Sequence, residues 1–183
     1  IDLQKKIIKT PGKAEDSFSD DPLRMMRAAR FMSQLNFEVD ESVLVAIKNM
    51  AARLEIISAE RIRDEFIKIM MSSSPRLGIT LLVETGLSDY FLPEVPKLKL
   101  EIDEHHHHKD VYEHSLTVLE QAIALEDRLS GANLTLRLAA LLHDIGKPKT
   151  KQLIAGGGVS FHHHEVVGAW MCKARMKKLR FDN

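Results

Sequence analysis

The stretch SFSDDPLRMMRAARFMSQLNFEVD, residues 17–40, decides how the first half of the chain folds. Its apolar side chains recur every three residues, a spacing that places them together on one face of an α-helix. They are Leu23, Met26, Ala29 and Met32. Asp21 and Pro22 precede this pattern as an N-cap and a first helical residue commonly do. We therefore expect a helical pattern that begins at Asp20 and closes at Asn36-Phe37.

Further helical patterns follow in the first half of the chain. Ser58 is a typical N-cap residue, and Gly86 is a typical helix stop. The predicted helical segments are Ser42–Leu54, Ala59–Met71, Arg76–Glu84 and Leu87–Leu92. Before them, Ile7-Ile8 indicates an edge strand that has nothing to pair with. The mixture of proline and lysine in Pro93–Lys99 favours a domain boundary there.

The second half differs in composition, because all nine histidines lie in it. The predicted helices are Val111–Leu125, Leu134–Ile145 and His164–Leu179. Leu153–Phe161 indicates a short hairpin around its three glycines. The predicted fold class is therefore all-α: a body of roughly five helices, followed by a helical subdomain with one short β-hairpin.

Composition excludes some classes of protein. Lys plus Arg and Asp plus Glu are equal at 26 each, so a uniformly basic nucleic-acid coat is excluded while local basic faces are not. The apolar runs are far shorter than the roughly 18–20 residues that cross a bilayer, so we expect no membrane span. A single Cys172 and the lack of a leader favour a reducing cytosol. We interpret the chain, which starts at Ile1 and stops at Asn183 without a helix-stop signal, as a fragment.

The doublet His143-Asp144 follows the apolar segment LRLAALL. A neutral imidazole beside a carboxylate offers nitrogen and oxygen ligands to one metal ion. His114 on the preceding helix and His164 at the start of the following one are natural partners. Such a set suits Mn, Fe, Ni, Co or Zn better than Mg. The alternative is a core histidine with satisfied hydrogen bonds and an aspartate that bonds a helix end.

The remaining histidines have simpler interpretations. His105–His108 resembles a purification tag but is internal and short, so we interpret it as a native loop. Within it, His105 and His106 are expected to be solvated. We expect His162 and His163 to be exposed neighbours of the helix that follows.

Asp21 and Arg24 form a second candidate pair. Their separation of three residues lets both side chains project together from one side of a helix. An acceptor and a donor side by side can pair with the edge of a nucleobase. The same residues also fit an N-cap followed by an ordinary salt bridge, which composition and spacing alone favour.

Three segments of the second half resemble the HD superfamily of metal-dependent phosphohydrolases. They are DVYEHSLTVL (residues 110–119), LLHDIGKP (141–148) and FHHHEVVGA (161–169). The resemblance implies that His114, His143 and Asp144 bind a metal that activates water for attack on a phosphoester. His164 matches an additional ligand of two-metal members, and Lys147 is either a phosphate contact or a solvated lysine. The last aspartate of the family normally lies on a later helix, so we expect this chain to lack it.

Three segments of the first half closely resemble bacterial class II tRNA nucleotidyltransferases. The segments are SFSDDPLRMMRAARFMSQLNFEVD, ISAERIRDEFIKIM (57–70) and LLVETGLSDYFLPE (81–94). The likeness is to the neck and body of the CCA-adding enzymes and their poly(A) polymerase relatives. Some of these carry an HD domain after the body, so the resemblance covers nearly the whole chain.

This resemblance assigns roles to the first predicted helix. In the family, an acidic-Asp-x-x-Arg motif reads the incoming CTP or ATP through its base edge. Asp20, Asp21 and Arg24 occupy the motif here, with Asp in place of the more usual Glu at its first position. The resemblance implies that Asp21 and Arg24 read the base and that Arg27 is a further candidate for contact with the nucleotide.

Glu60 and Arg61 match a later motif that we expect to brace the nucleotide pocket, or else to form a salt bridge at a helix start. Nucleotidyl transfer itself needs carboxylates that hold Mg ions. In the family these belong to an N-terminal head with a Gly-Ser signature and an Asp-x-Asp pair, neither of which occurs here. We therefore expect no catalytic residues and no nucleotide addition by this chain alone. The predicted domains are a head remnant (1–19), the neck and body (20–100) and an HD domain incomplete at its C-terminus (101–183).

The favoured function is part of a cytoplasmic tRNA nucleotidyltransferase that adds CCA or poly(A) to RNA 3′ ends. Its implied partners are tRNA, CTP and ATP, and both kinds of addition use the same neck residues. The alternative is HD-type hydrolysis of a phosphoester at an RNA end or in a nucleotide. A third reading is a non-catalytic RNA-binding module that uses the basic residues of the first and last helices. These are Arg24, Arg27, Arg30, Lys173, Arg175, Lys177, Lys178 and Arg180.

Overall fold

The structure is a computed structural model that describes residues 4–100, 110–154 and 158–181. The chain divides into two compact units, Ile1–Phe91 and Leu92–Asn183. This division falls just before the predicted boundary segment Pro93–Lys99. The predicted domain ranges stay a prediction, but the all-α fold class is confirmed, because helices dominate both units.

The first unit is built from five α-helices, two short strands and two 3₁₀ helices among the residues described. The helices are α1 (Ala14–Asp20), α2 (Leu23–Leu35), α3 (Glu41–Met50), α4 (Ala59–Met70) and α5 (Pro75–Glu84). The 3₁₀ helices are Ala51–Ile56 and Leu87–Tyr90, and the strands are β1 (Ile7–Ile8) and β2 (Glu38–Val39). Helix α1 lies in a stretch where no helix was predicted.

Helix α2 lies at the centre of this unit and packs against α4 and α5. It starts at Leu23, later than the predicted start at Asp20, which ends α1 instead, and the Asp21 carboxylate accepts a hydrogen bond from the Leu23 amide at 3.2 Å. It ends at Asn36, whose φ of 55° is left-handed. Its buried face consists of Leu23, Met25, Met26, Ala28, Ala29 and Ser33. The predicted N-cap of α4 is also confirmed, because the Ser58 side chain accepts a hydrogen bond from the Arg61 amide.

Strand β1 has a partner, so the expectation that Ile7-Ile8 pairs with nothing is wrong. It pairs in parallel with β2, which follows α2 directly. The left-handed residue Asn36 redirects the chain after α2 and brings it beside β1. The Asp40 amide then donates to the Ile8 carbonyl at 3.0 Å, and the Asp40 carboxylate lies 3.4 Å from Lys9 Nζ.

The second unit contains four α-helices and one strand pair among the residues described. The helices are α6 (Val111–Ala124), α7 (Leu134–Leu142), α8 (Lys147–Thr150) and α9 (His164–Lys178). The 3₁₀ helices are Pro96–Leu100 and Glu126–Arg128, and the strands are β3 (Gln152–Leu153) and β4 (Val159–Ser160). The strands pair antiparallel, which confirms the predicted hairpin, although residues 155–157 lie outside the described part. No helix in the described ranges is long and apolar enough to span a membrane.

Helices α6 and α7 form the core of the second unit. Their buried side chains include Leu116, Leu119 and Leu141. Glu126, in the 3₁₀ helix after α6, accepts two buried hydrogen bonds from Arg137 in α7, at 2.7 and 2.6 Å. These hydrogen bonds hold the Glu126 pKa below its usual value. The pair fixes α7 to the segment that follows α6.

Helix α7 ends at Leu142, three residues before the predicted end at Ile145. The chain then turns tightly, and Gly146 lies against the backbone of α9. A Cβ atom on Gly146 would overlap the His164 carbonyl oxygen and approach the Gly168 amide nitrogen at 2.8 Å. Only glycine fits this contact, because the obstructing atoms are backbone atoms that cannot rotate away.

We expect Gly146→Ala to lower the free energy of unfolding by about 3 kcal/mol, because the added methyl group forces two backbone segments apart. Gly12→Ala is the matched control, since nothing lies within 4 Å of a Cβ at Gly12. We expect the control to change stability by less than about 1 kcal/mol. Urea denaturation of the three proteins measures both effects, and equal stability of the two variants would contradict the close approach.

Candidate nucleotide and metal sites

In the first unit, the Asp21 side chain lies between α1 and α2 and contacts two arginine side chains. Its two carboxylate oxygens accept hydrogen bonds from Arg61 Nη2 at 3.2 and 3.1 Å. Arg27 Nη2 lies 3.6 Å from Oδ2 of the same carboxylate. Arg61 belongs to α4 and Arg27 to α2, so Asp21 links the two helices. The side chain is 21% exposed and keeps access to solvent.

Arg24 faces α1. Its Nη1 donates to the Ser17 hydroxyl at 3.0 Å and to the Ser17 carbonyl at 3.2 Å. Asp20 Oδ2 lies 3.8 Å from the same nitrogen. The Arg24 side chain is 42% exposed, so the rest of its guanidinium group is accessible to a ligand.

A cavity of about 450 Å³ opens beside these arginines. Arg24 and Arg27 line it together with Ser17, and Phe31 supplies an apolar wall. Its other lining residues are Ile8, Lys9, Thr10, Pro11, Phe18, Ala28 and Val43. Guanidinium donors beside an aromatic wall form a suitable environment for a planar, polar ring.

Of the residues singled out from the sequence, Arg27 and Arg61 meet at the Asp21 carboxylate, whereas Arg24 lines the cavity beside Arg27 and contacts Ser17 and Asp20. Arg61 donates to Asp21, and Glu60 lies in the first turn of α4, while the bracing of a nucleotide pocket stays a prediction. Ser17 was missed. It contacts Arg24 across the junction of two helices, and no helical spacing predicts such a contact.

In the second unit, Asp144 is the centre of a cluster of imidazoles. Its Oδ2 lies 3.1 Å from His143 Nε2 and 4.0 Å from His114 Nε2. Its Oδ1 lies 3.4 Å from His164 Nε2. Lys147 Nζ lies 3.0 Å from Oδ2. The three predicted histidine ligands therefore meet at the fourth predicted ligand, the Asp144 carboxylate, which is only 2% exposed.

Backbone carbonyls orient two of these imidazole rings. Nδ1 of His143 donates to the Ala140 carbonyl at 2.9 Å, and Nδ1 of His164 donates to the Phe161 carbonyl at 2.8 Å. Because a carbonyl only accepts, each Nδ1 carries a proton, and in the neutral ring each Nε2 presents a lone pair. This arrangement is typical of histidines that bind metals through Nε2.

The residues present fit a divalent metal. One ligand atom each from His114, His143 and Asp144 lies within 4.8 Å of the other two. Asp144 Oδ2 is buried and accepts no hydrogen bond of standard geometry from the described residues, although two nitrogen atoms lie near it. A buried carboxylate oxygen without such a bond is costly unless a cation compensates it. Two imidazole nitrogens and one carboxylate oxygen are a donor set for Mn, Fe, Co, Ni or Zn.

The charges of the cluster are strongly coupled. Burial raises the pKa of Asp144, but neighbouring His143 and Lys147 outweigh it and lower this pKa to about 2. Burial lowers the pKa of His143, but the Asp144 carboxylate and the Ala140 carbonyl outweigh it and raise this pKa. Asp144 is therefore ionised at neutral pH and can act as a ligand.

One of the two roles predicted for Lys147 is wrong. The alternative of a solvated lysine is wrong, because the side chain is buried, with Nζ beside Asp144 and 5.6 Å from the centre of the Phe161 ring. The turn after α7 points it inward, since Lys147 follows Asp144 by three residues. His162 and His163 are exposed, as expected. The loop His105–His108 lies outside the described residues.

Comparisons with known proteins match both units. Residues 36–98 match the family model described as the probable RNA and SrmB-binding site of polymerase A. Residues 111–182 match the model of the HD domain. The second match contains His114, His143, Asp144 and His164, which the geometry of the site brings together.

Two curated relatives and one solved structure support the same family. An A-adding tRNA nucleotidyltransferase of Deinococcus radiodurans is 36% identical over 98% of this chain and 42% of its own length. A CCA-adding enzyme of Lactobacillus delbrueckii subsp. bulgaricus is 48% identical over 48% of this chain and 22% of its own length. The crystal structure of the Bacillus stearothermophilus CCA-adding enzyme in complex with CTP is 29% identical, with a TM-score of 0.51 over 76% of this chain and 35% of that one.

The chain spans less than half the length of the curated relatives that it matches. Within that span, an RNA-binding region is followed by an HD domain, in the order that the sequence motifs predicted. The chain therefore belongs to the tRNA nucleotidyltransferase family of CCA-adding enzymes and their relatives, of which it comprises an RNA-binding region and an HD domain.

Proposed function

We propose that this chain selects the nucleotide and binds the RNA in a tRNA nucleotidyltransferase that extends RNA 3′ ends. The observation that carries the proposal is that Arg24 and Arg27 line an open cavity in the first unit and that Arg27 also lies 3.6 Å from the Asp21 carboxylate. The Mg ions and catalytic carboxylates of nucleotidyl transfer belong to a head domain outside this chain. Transfer therefore needs the longer enzyme.

The proposed partners are tRNA, CTP and ATP. The A-adding tRNA nucleotidyltransferase among the relatives and the CTP complex among the similar structures support them. CCA addition uses CTP and ATP, whereas poly(A) addition uses ATP alone, and we expect both to read the base through the same neck residues. The single Cys172 fits a reducing compartment, and we propose the cytosol.

The chemistry of the bases explains how Asp21 and Arg24 discriminate between nucleotides. Cytosine and adenine both present an amino donor beside a ring-nitrogen acceptor, whereas uracil and guanine present a carbonyl beside an N–H group. A carboxylate that accepts from the amino group and a guanidinium that donates to the ring nitrogen therefore bind C and A. With U or G, the carboxylate would face a carbonyl and the guanidinium would face an N–H donor, which costs affinity.

Neighbouring groups hold Asp21 and Arg24, the proposed base-reading residues, in place. Arg61 donates to both oxygens of Asp21, yet a carboxylate has about four acceptor positions, so capacity remains for a base. Ser17 engages one nitrogen of Arg24 and leaves the other donors of the guanidinium for a ligand. Side chains that are oriented before binding lose less entropy when the nucleotide arrives.

In the longer enzyme, we expect Arg24→Ala to lower kcat/KM for CTP and ATP by about 10- to 100-fold, which is the usual loss for one charged hydrogen bond. Discrimination against UTP should fall as well. Arg63→Ala is the control, because Arg63 pairs with Asp64 and does not line the cavity. Single-nucleotide addition to a tRNA without its CCA end measures both effects, and equal kinetics in the two variants would contradict the assignment.

A second candidate function is hydrolysis of a phosphoester by the HD domain. It rests on the carboxylate of Asp144, which lies among three imidazoles. His114, His143 and Asp144 would hold a divalent metal, which when bound supplies an activated water molecule. Lys147 compensates the charge of Asp144, and the two backbone carbonyls keep His143 and His164 in orientation.

We expect Asp144→Asn to reduce manganese- or nickel-dependent hydrolysis of bis(p-nitrophenyl) phosphate by about 100-fold or more, because the anionic ligand is lost. Hydrolysis by the unaltered chain should also fall as the pH drops through the raised pKa of His143, since a protonated imidazole binds no metal. His162→Ala, an exposed neighbour, is the control and should retain activity. Full activity in Asp144→Asn would refute this second function.

A further inference from the structure

A second cavity lies in the second unit, lined by residues other than the four histidine and aspartate ligands. Its volume is about 450 Å³. It lies where α8, α9 and the segment around Pro93–Lys97 meet. The lining residues are Pro93, Glu94, Lys97, Ile145, Pro148, Lys149, Met171, Ala174, Arg175 and Lys178. None of the comparisons assigns a role to this cavity.

The cavity is strongly basic. Four of its lining residues are basic and one is acidic. The acidic residue, Glu94, is fully engaged, because Arg175 donates to its oxygens through Nε and Nη2 at 2.8–3.1 Å. Both side chains of this pair are only 14% exposed. The pair therefore forms a fixed, neutral part of the wall.

Three lysines remain in excess: Lys97, Lys149 and Lys178. All three are exposed residues. Within residues 92–100, 110–154 and 158–181, no carboxylate lies within salt-bridge distance of their ammonium groups. Like charges at one cavity repel each other, and an anion bound among them relieves this repulsion.

Two of these lysines are held on a rigid backbone. Lys97 follows Pro96 at the start of a 3₁₀ helix, and Lys149 follows Pro148 in α8. Each proline fixes its own φ angle and so restrains the backbone that leads into the lysine, which leaves less freedom to lose there when a ligand binds. Buried Ile145 and half-buried Met171 complete the wall with apolar surface that displaces water.

We propose that this cavity binds a phosphate group, carried either by an RNA strand or by a free nucleotide. Phosphate offers several anionic oxygens to several separate ammonium groups, and each lysine donates up to three hydrogen bonds. The proposal uses no residue of the nucleotide cluster or of the metal cluster. Its RNA arm rests on the proposed RNA binding by this chain, and a control variant that still binds tRNA separates failure of the cavity from failure of that function.

The test compares two triple variants of the 183-residue chain that each remove three positive charges. The cavity variant is Lys97→Ala, Lys149→Ala, Lys178→Ala. The control variant is Lys5→Ala, Lys13→Ala, Lys151→Ala, which replaces exposed lysines outside the cavity. Thermal denaturation first checks that both variants are folded. The probes are a fluorescent tRNA without its CCA end, measured by anisotropy over a series of salt concentrations, and ATP, measured by equilibrium dialysis.

We expect the cavity variant to bind the tRNA about tenfold more weakly than the control variant and with a shallower dependence on salt, because up to three phosphate contacts are lost. Loss of ATP binding as well would identify a free nucleotide as a ligand, and loss of tRNA binding alone would identify the strand. Equal binding by the two variants would overturn the proposal. So would ATP binding that Arg24→Ala abolishes and the cavity variant retains, with unchanged tRNA binding.

Discussion

The buried carboxylate of Asp144 is the constraint on which the second unit depends. An ionised carboxylate in the interior is costly unless cations or hydrogen-bond donors compensate it. Here the turn after α7 supplies His143 and Lys147, α6 supplies His114, and the start of α9 supplies His164. The contact between Gly146 and the α9 backbone allows these elements to come so close. Packing of the helices and chemistry of the cluster are therefore parts of one arrangement.

Asp21 has a similar position in the first unit but a different environment. It also lies at a helix junction and collects basic side chains, yet it and its arginine partners keep access to solvent. Partial exposure keeps the hydrogen-bonding groups available to an incoming base, whereas burial around Asp144 favours a small ion. The two proposed functions therefore assign the aspartates to two kinds of recognition, one of a planar ring and one of a metal.

Much of the fold follows from local signals in the sequence. Asp21, Pro22 and Asn36 delimit α2, and Ser58 begins α4, because capping is decided by neighbouring residues. Contacts between distant segments could not be predicted from local residues in this way. The pairing of β1 with β2 depends on the path that the chain takes after its left-handed residue. The grouping of the histidines around Asp144 was predictable because three sequence motifs mark these residues. The inward orientation of Lys147 was not, because the predicted helix ran on to Ile145 whereas the chain turns after Leu142.

The central claim is that the Asp144 cluster holds a divalent metal. Elemental analysis of the chain, purified without a tag or nickel, tests it most directly, with the double variant His143→Ala, Asp144→Ala beside it. The account predicts about one divalent metal ion per chain in the unaltered protein and a small fraction of that in the variant. Absence of metal from both proteins, or equal metal in both, would contradict it.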